Sequence, residues 1–145
     1  VSSTDLSYAI KLNDVYSKLT ENSCKRVTVF IDACFSGGAR NQSLSQRKGV
    51  RVKPKDIALN SNMVVFTSSQ GNESSGVYKE KRHGFFTYFL LKKIQESKAD
   101  ITYSELAGYV HSNVLKETGL ISKIQTPKVF ASPDIEDTWQ TFKLR

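Results

Sequence analysis

The stretch VFIDACFSGG, residues 29–38, reads as the end of a buried strand that breaks at once into small and polar residues. Lys25 and Arg26 introduce Val27-Thr28-Val29-Phe30-Ile31, a short, β-branched and nearly unbroken apolar run. Such a run predicts a strand covered on both faces, the pattern of parallel sheets. Just past its end stands Cys34, one of only two cysteines in the chain, followed by Gly37 and Gly38.

Working outward, Met63-Val64-Val65-Phe66-Thr67 is a second run of the same kind and ends in the polar SSQGNESSG. Helical spacing appears on either side of these strands. Leu12, Val15, Tyr16 and Leu19 predict a short helix after an extended entry, and Phe86, Phe89, Leu90 and Ile94 predict one starting near Gly84 or Phe85. Thr102 and Glu105 form a capping box that opens a third helix, with Leu106, Val110 and Val114 as its apolar stripe. Lys128-Val129-Phe130-Ala131 is a last short strand, and its entry through Pro127 suits an edge. Strands alternating with helices imply an α/β sheet, mostly parallel, with helices on both faces. In open sheets of this class the chemistry sits at the carboxyl ends of the strands. DACFSGG and SSQGNESS both occupy such ends.

A chain of 145 residues has the size of one domain or a large piece of one. With 39% hydrophobic and 24% charged residues it suits a soluble globular protein, and no apolar run approaches the roughly 20 residues needed to span a membrane. The opening VSSTDLSYAI lacks the basic head and apolar block of a signal peptide, and a chain that starts on valine is expected to have lost what preceded it. Cys24 and Cys34 are too sparse for a disulfide scaffold and lack the CxxC spacing of a zinc site, so a reduced, cytoplasmic setting is expected. The net charge of +7 draws much of its excess from Arg40, Arg47, Lys48, Arg51, Lys53 and Lys55, with no acid between Asp32 and Asp56. No aromatic ring lies between Arg40 and Lys55 to stack on bases. Residues 35–60 therefore read as a long, mobile, solvated basic loop in preference to a nucleic-acid site.

A cysteine thiolate attacks carbonyl carbon when it is exposed and has a general base beside it. A loop opening from a buried strand supplies the exposure. Gly37 and Gly38 let backbone approach a bound peptide, and free N–H groups near the cysteine can hold a developing oxyanion. The alternative is that Cys34 is a small buried filler, as free cysteines often are. Spacing alone leaves both open.

The segment VFIDACFSGG resembles the nucleophile segment of caspase-like cysteine peptidases. It is most similar to metacaspases and their prokaryotic relatives, whose pattern is Asp-x-Cys-x-Ser-Gly. MVVFTSSQGNESS is similar to that family's next strand and loop, and HGFFTYFLLKKI to the helix that follows, so the resemblance runs from about residue 10 to 131. It implies a partial caspase-like catalytic domain over residues 1–145, with Cys34 as nucleophile and the Cys34 backbone N–H as one oxyanion donor. It also places Asp32 in the primary specificity pocket, where mammalian caspases carry glutamine and bind an aspartate side chain. A carboxylate there pairs with a guanidinium or ammonium, which implies cleavage after Arg or Lys. The plainer reading of Asp32 is a helix cap or strand-end acceptor. Ser69 is expected to line the same cleft and Glu73 to add a second negative charge, unless both are simply solvated.

The resemblance breaks at the general base. The family's histidine precedes the cysteine in a Ser-Gly-His-Gly-like turn, whereas the two histidines here, His83 and His111, both follow Cys34. His83, next to Gly84, reads as a helix-start residue, and His111 as a surface or partly buried residue of the third helix. The expected partner is therefore an N-terminal segment or chain of the same peptidase that carries the missing histidine and covers the open edge of the Val27–Ile31 strand. The basic loop occupies the place of the family's processing linker, which makes it, or the junction before Val1, a candidate for self-cleavage. Several metacaspases are activated by calcium; no EF-hand loop is present, and the resemblance assigns no metal ligand. The competing reading is a catalytically inactive caspase-like module that binds a protein partner.

Overall fold

The computed structural model describes residues 10–22, 24–33, 59, 62–70 and 73–145. Cys34, Gly37, Gly38 and all of the expected basic loop except Leu59 lie outside the described residues. Helix α1, Leu12–Leu19, leads to strand β1, Val27–Ile31, and then to β2, Met63–Thr67. A short hairpin of β3, Val77–Tyr78, and β4, His83–Gly84, precedes α2, Phe85–Glu96, and α3, Tyr103–Leu120. Strand β5, Lys128–Ala131, and two short turns of 3-10 helix, Pro133–Ile135 and Trp139–Thr141, complete the order.

The sheet runs β1-β2-β5. β1 is parallel to β2, with Val27 opposite Met63 and Ile31 opposite Thr67. β5 is antiparallel to β2, with Val64 opposite Ala131 and Thr67 opposite Lys128. The architecture is thus the expected α/β sheet, closed on one side by an antiparallel strand that enters from Pro127.

The two-residue period of a strand splits β2 between two cores. Val64 and Phe66 face Phe86, Phe89, Leu90, Leu106, Val110 and Val114 of α2 and α3. Met63 and Val65 face Tyr16 of α1, with Leu12, Val27, Val29 and Ile31 packed around them. Every residue of β2 is buried as a result. β1 falls short of the expected cover on both faces: it is half-buried, and Phe30, its ring tilted against Phe66 at 5.0 Å, is 36% exposed. The reason is its place in the sheet, since among the described residues β1 has a strand on one side alone.

Helix α3 begins as the sequence predicts. Thr102 Oγ1 accepts from Glu105 N at 3.3 Å, and Glu105 Oε2 accepts from Thr102 N at 2.9 Å. Beyond the Ser97 cap of α2, Lys98 and Ala99 both take positive φ (52° and 62°), and Ala99 N donates back to Ile94 O at 2.9 Å. No helix among the described residues is long and apolar enough to cross a membrane.

Candidate active site

Parallel pairing brings the carboxyl ends of β1 and β2 side by side, and the ladder continues past both. Ser68 N donates to Ile31 O at 2.9 Å, and Ser68 Oγ donates to Ala33 O at 3.3 Å. The backbone that leads into Cys34 is therefore anchored to β2 up to Ala33.

Asp32 is the half-buried residue between them, and three elements converge on its carboxylate. Ser75 Oγ, ahead of β3, donates to Oδ1. Thr87 Oγ1, in the first turn of α2, donates to Oδ2 at 2.5 Å. Gly84, the N-cap of α2, approaches so closely that a Cβ there would run into Oδ2 and lie 3.1 Å from Cγ. The carboxylate thus sits where the unpaired N–H groups of a helix start favour negative charge.

The segment carrying Ser75 is braced from behind. Gln125, 1% exposed, accepts from Gly76 N at 2.7 Å and donates to Ser68 O at 2.9 Å, joining the end of β2 to the start of the hairpin. Glu73 accepts from Thr126 N at 2.6 Å, from Thr126 Oγ1 at 2.9 Å and from Gln70 N at 3.3 Å. Its carboxylate ties two loops together. Tyr78 of β3 stacks on Phe85 at 4.7 Å and donates to Glu117 at 3.3 Å; burial first and then Glu117 push its hydroxyl pKa up.

Ser69, two residues past the end of β2, is 2% exposed, and its Oγ has no hydrogen-bond partner among the described residues. A buried hydroxyl left this way is uncommon and calls for an explanation. Neither histidine joins Asp32. His83 is an exposed residue of β4, one position before the Gly84 cap, and His111 Nδ1 lies 3.1 Å from Pro127 O beside an apolar groove of about 320 Å3 between α3, β5 and Trp139. Among the described residues no three His, Cys, Asp or Glu side chains gather into a cation cage.

A strand-end acid, directly before an Ala-Cys pair in the sequence, thus stands at the carboxyl edge of a sheet with helices on both faces. The model of the caspase domain matches residues 1–136. The chain belongs to the caspase-domain family. No curated protein and no solved structure matches it. The family is one of cysteine peptidases, and this caspase domain presents its α/β sheet as a partial version of that fold.

Sequence reasoning singled out Asp32 and Ser69 and missed the hydrogen-bond partners of Asp32. Ser75 is one of several serines in SSQGNESSG, and nothing in the string distinguishes it. Thr87 sits among aromatic residues on the first turn of a helix, where a hydroxyl usually reads as local capping. Gly84 did carry a signal, as the helix-opening glycine, but its reason lies in a residue 52 positions earlier.

Proposed function

We propose that this caspase domain is the nucleophile-bearing portion of a cysteine endopeptidase that cleaves after Arg or Lys, as metacaspases do. The observation that carries the reading is the Asp32 carboxylate, held at the carboxyl end of β1 by Ser75 and Thr87, two residues before Cys34. A fixed carboxylate is complementary to a guanidinium or ammonium and repels an acidic side chain.

In this reading the Cys34 thiolate adds to the scissile carbonyl carbon, and the Cys34 backbone N–H stabilises the oxyanion. A histidine passes the proton to the leaving amine, the C–N bond breaks and a thioester acyl-enzyme forms. Water, deprotonated by the same histidine, then attacks the thioester and releases the acid and the thiol. No histidine precedes Cys34 in these residues, so the base comes from an N-terminal segment or chain of the same peptidase, which also pairs with the edge of β1 that has no strand beside it among the described residues. Ser69 lines the floor of the cleft, where its unpartnered hydroxyl awaits an atom that the substrate or this segment brings. Self-cleavage in the basic stretch between Arg40 and Lys55 follows from the same specificity, and the two scattered cysteines suit a cytoplasmic setting.

The test is turnover, by the full-length protein, of short fluorogenic peptides ending in Arg, Lys or Asp. Release from the Arg and Lys peptides, abolished by Cys34→Ala and cut by about a hundredfold or more in Asp32→Asn, is expected. Preference for the Asp peptide would overturn the specificity. Absence of turnover that Cys34→Ala also leaves unchanged would return the module to an inactive partner-binding role.

A further inference from the structure

We propose that Ser75, Gly84 and Thr87 act as one positioning unit, which sets the place and direction of the Asp32 carboxylate and so the degree of preference for a cationic side chain before the cleaved bond. The inference rests on the reading of Asp32 given above.

An aspartate carboxylate rotates broadly about its terminal bond, because that torsion lacks sharp wells. Hydroxyl donors on opposite oxygens remove this freedom when they come from two separate elements, and Ser75 ahead of β3 and Thr87 on α2 meet that condition. Each donor is itself held. Gln125 Nε2 lies 3.5 Å from Ser75 Oγ while bonding Ser68 O, so the serine can accept from the amide as it donates to Asp32. Thr87 is β-branched and sits in a helix, which restricts its χ1.

Gly84 supplies the third side. Its φ of −67° and ψ of 152° lie in extended backbone that any residue adopts, so conformation does not demand glycine there. The carboxylate does: an added Cβ would collide with Oδ2 and lie 3.3 Å from Oδ1. A side chain at this position pushes Asp32 off both hydroxyls. Ion pairing with a guanidinium depends on the carboxylate's direction as well as its charge, so displacement weakens recognition without altering the thiol chemistry.

The experiment compares kcat/KM for two peptides that differ only in having Arg or the uncharged isostere citrulline before the cleaved bond. Both are measured on one sample of the full-length protein, so their ratio is independent of the fraction folded. Thr87→Val and Ser75→Ala are each expected to lower the ratio about tenfold, Gly84→Ala at least as much, and Thr87→Ser to restore it to near the wild-type value. Where Thr87→Val yields no folded protein, Thr87→Ser and Ser75→Ala carry the same comparison. Wild-type ratios that persist in Ser75→Ala and Gly84→Ala would overturn the positioning unit alone. A wild-type ratio near one would overturn the Asp32 reading beneath it.

Discussion

At the scale of single residues, Asp32 and Gly84 explain each other. Asp32 needs an open approach to the start of α2 to reach Thr87, and Gly84 provides it by having no side chain. Gly84→Ala is therefore expected to destabilise the protein by about 1–3 kcal/mol, the range for inserting a methyl group into a filled space. In an Asp32→Ala background the same change should cost far less, because the colliding carboxylate is gone. Chemical denaturation of the four proteins of this cycle measures the coupling, and equal losses in both backgrounds would show that something other than Asp32 demands the glycine. Gln125 offers a second case. Replacing it with leucine leaves Gly76 N–H without its acceptor inside the protein, an expected loss of about 1–3 kcal/mol readable in the same assay.

At the scale of elements, α3 owes its start to Thr102. Thr102→Ala removes the acceptor for Glu105 N and should cost about 1 kcal/mol, seen as a lower denaturation midpoint with unchanged slope. The same end of the helix carries a pH dependence. Hydrogen bonds from the side chain and then the backbone of Thr102 hold the Glu105 carboxyl below its ordinary value, and a bond from Lys143 at 2.7 Å does the same for Asp100. Asp134 is lowered likewise, by Ser132 first and then by the Asn62 backbone. Because folding lowers these pKa values, the unfolded chain binds more protons in acid. The stability they contribute is present above the ordinary carboxylate range and is lost as pH falls below about 4 and through the lowered values. Denaturation midpoints measured from pH 7 down to pH 3 should drop over the acid end of that range, less steeply in Glu105→Gln. An unchanged slope in that variant would remove Glu105 from the account.

At the scale of the whole molecule, β2 is the wall between two cores, and its neighbours in the sheet are unequal. Phe66, 2% exposed and packed under α2 and α3, should cost about 3–5 kcal/mol on truncation to alanine, whereas Phe30, its register partner on the half-covered β1, should cost clearly less. Urea denaturation of the two variants decides between this asymmetry and an evenly covered sheet. The positions of β1, β2, α1, α2, α3 and β5 were all legible in the string, because each is written in local terms: β-branched runs, apolar residues at helical spacing, a capping box, and a proline at an edge. Asp32 was legible too, through its place in the Asp-x-Cys-x-Ser-Gly pattern. What the string could not carry is which side chains meet across it. Ser75, Gly84 and Thr87 lie 43, 52 and 55 positions beyond Asp32, and Glu73 accepts from Thr126, 53 positions further on. Local periodicity sets elements because it acts through neighbours on the chain; the surroundings of one carboxylate arise only once the parallel pairing of β1 with β2 has brought a strand end, a hairpin and a helix start to the same point.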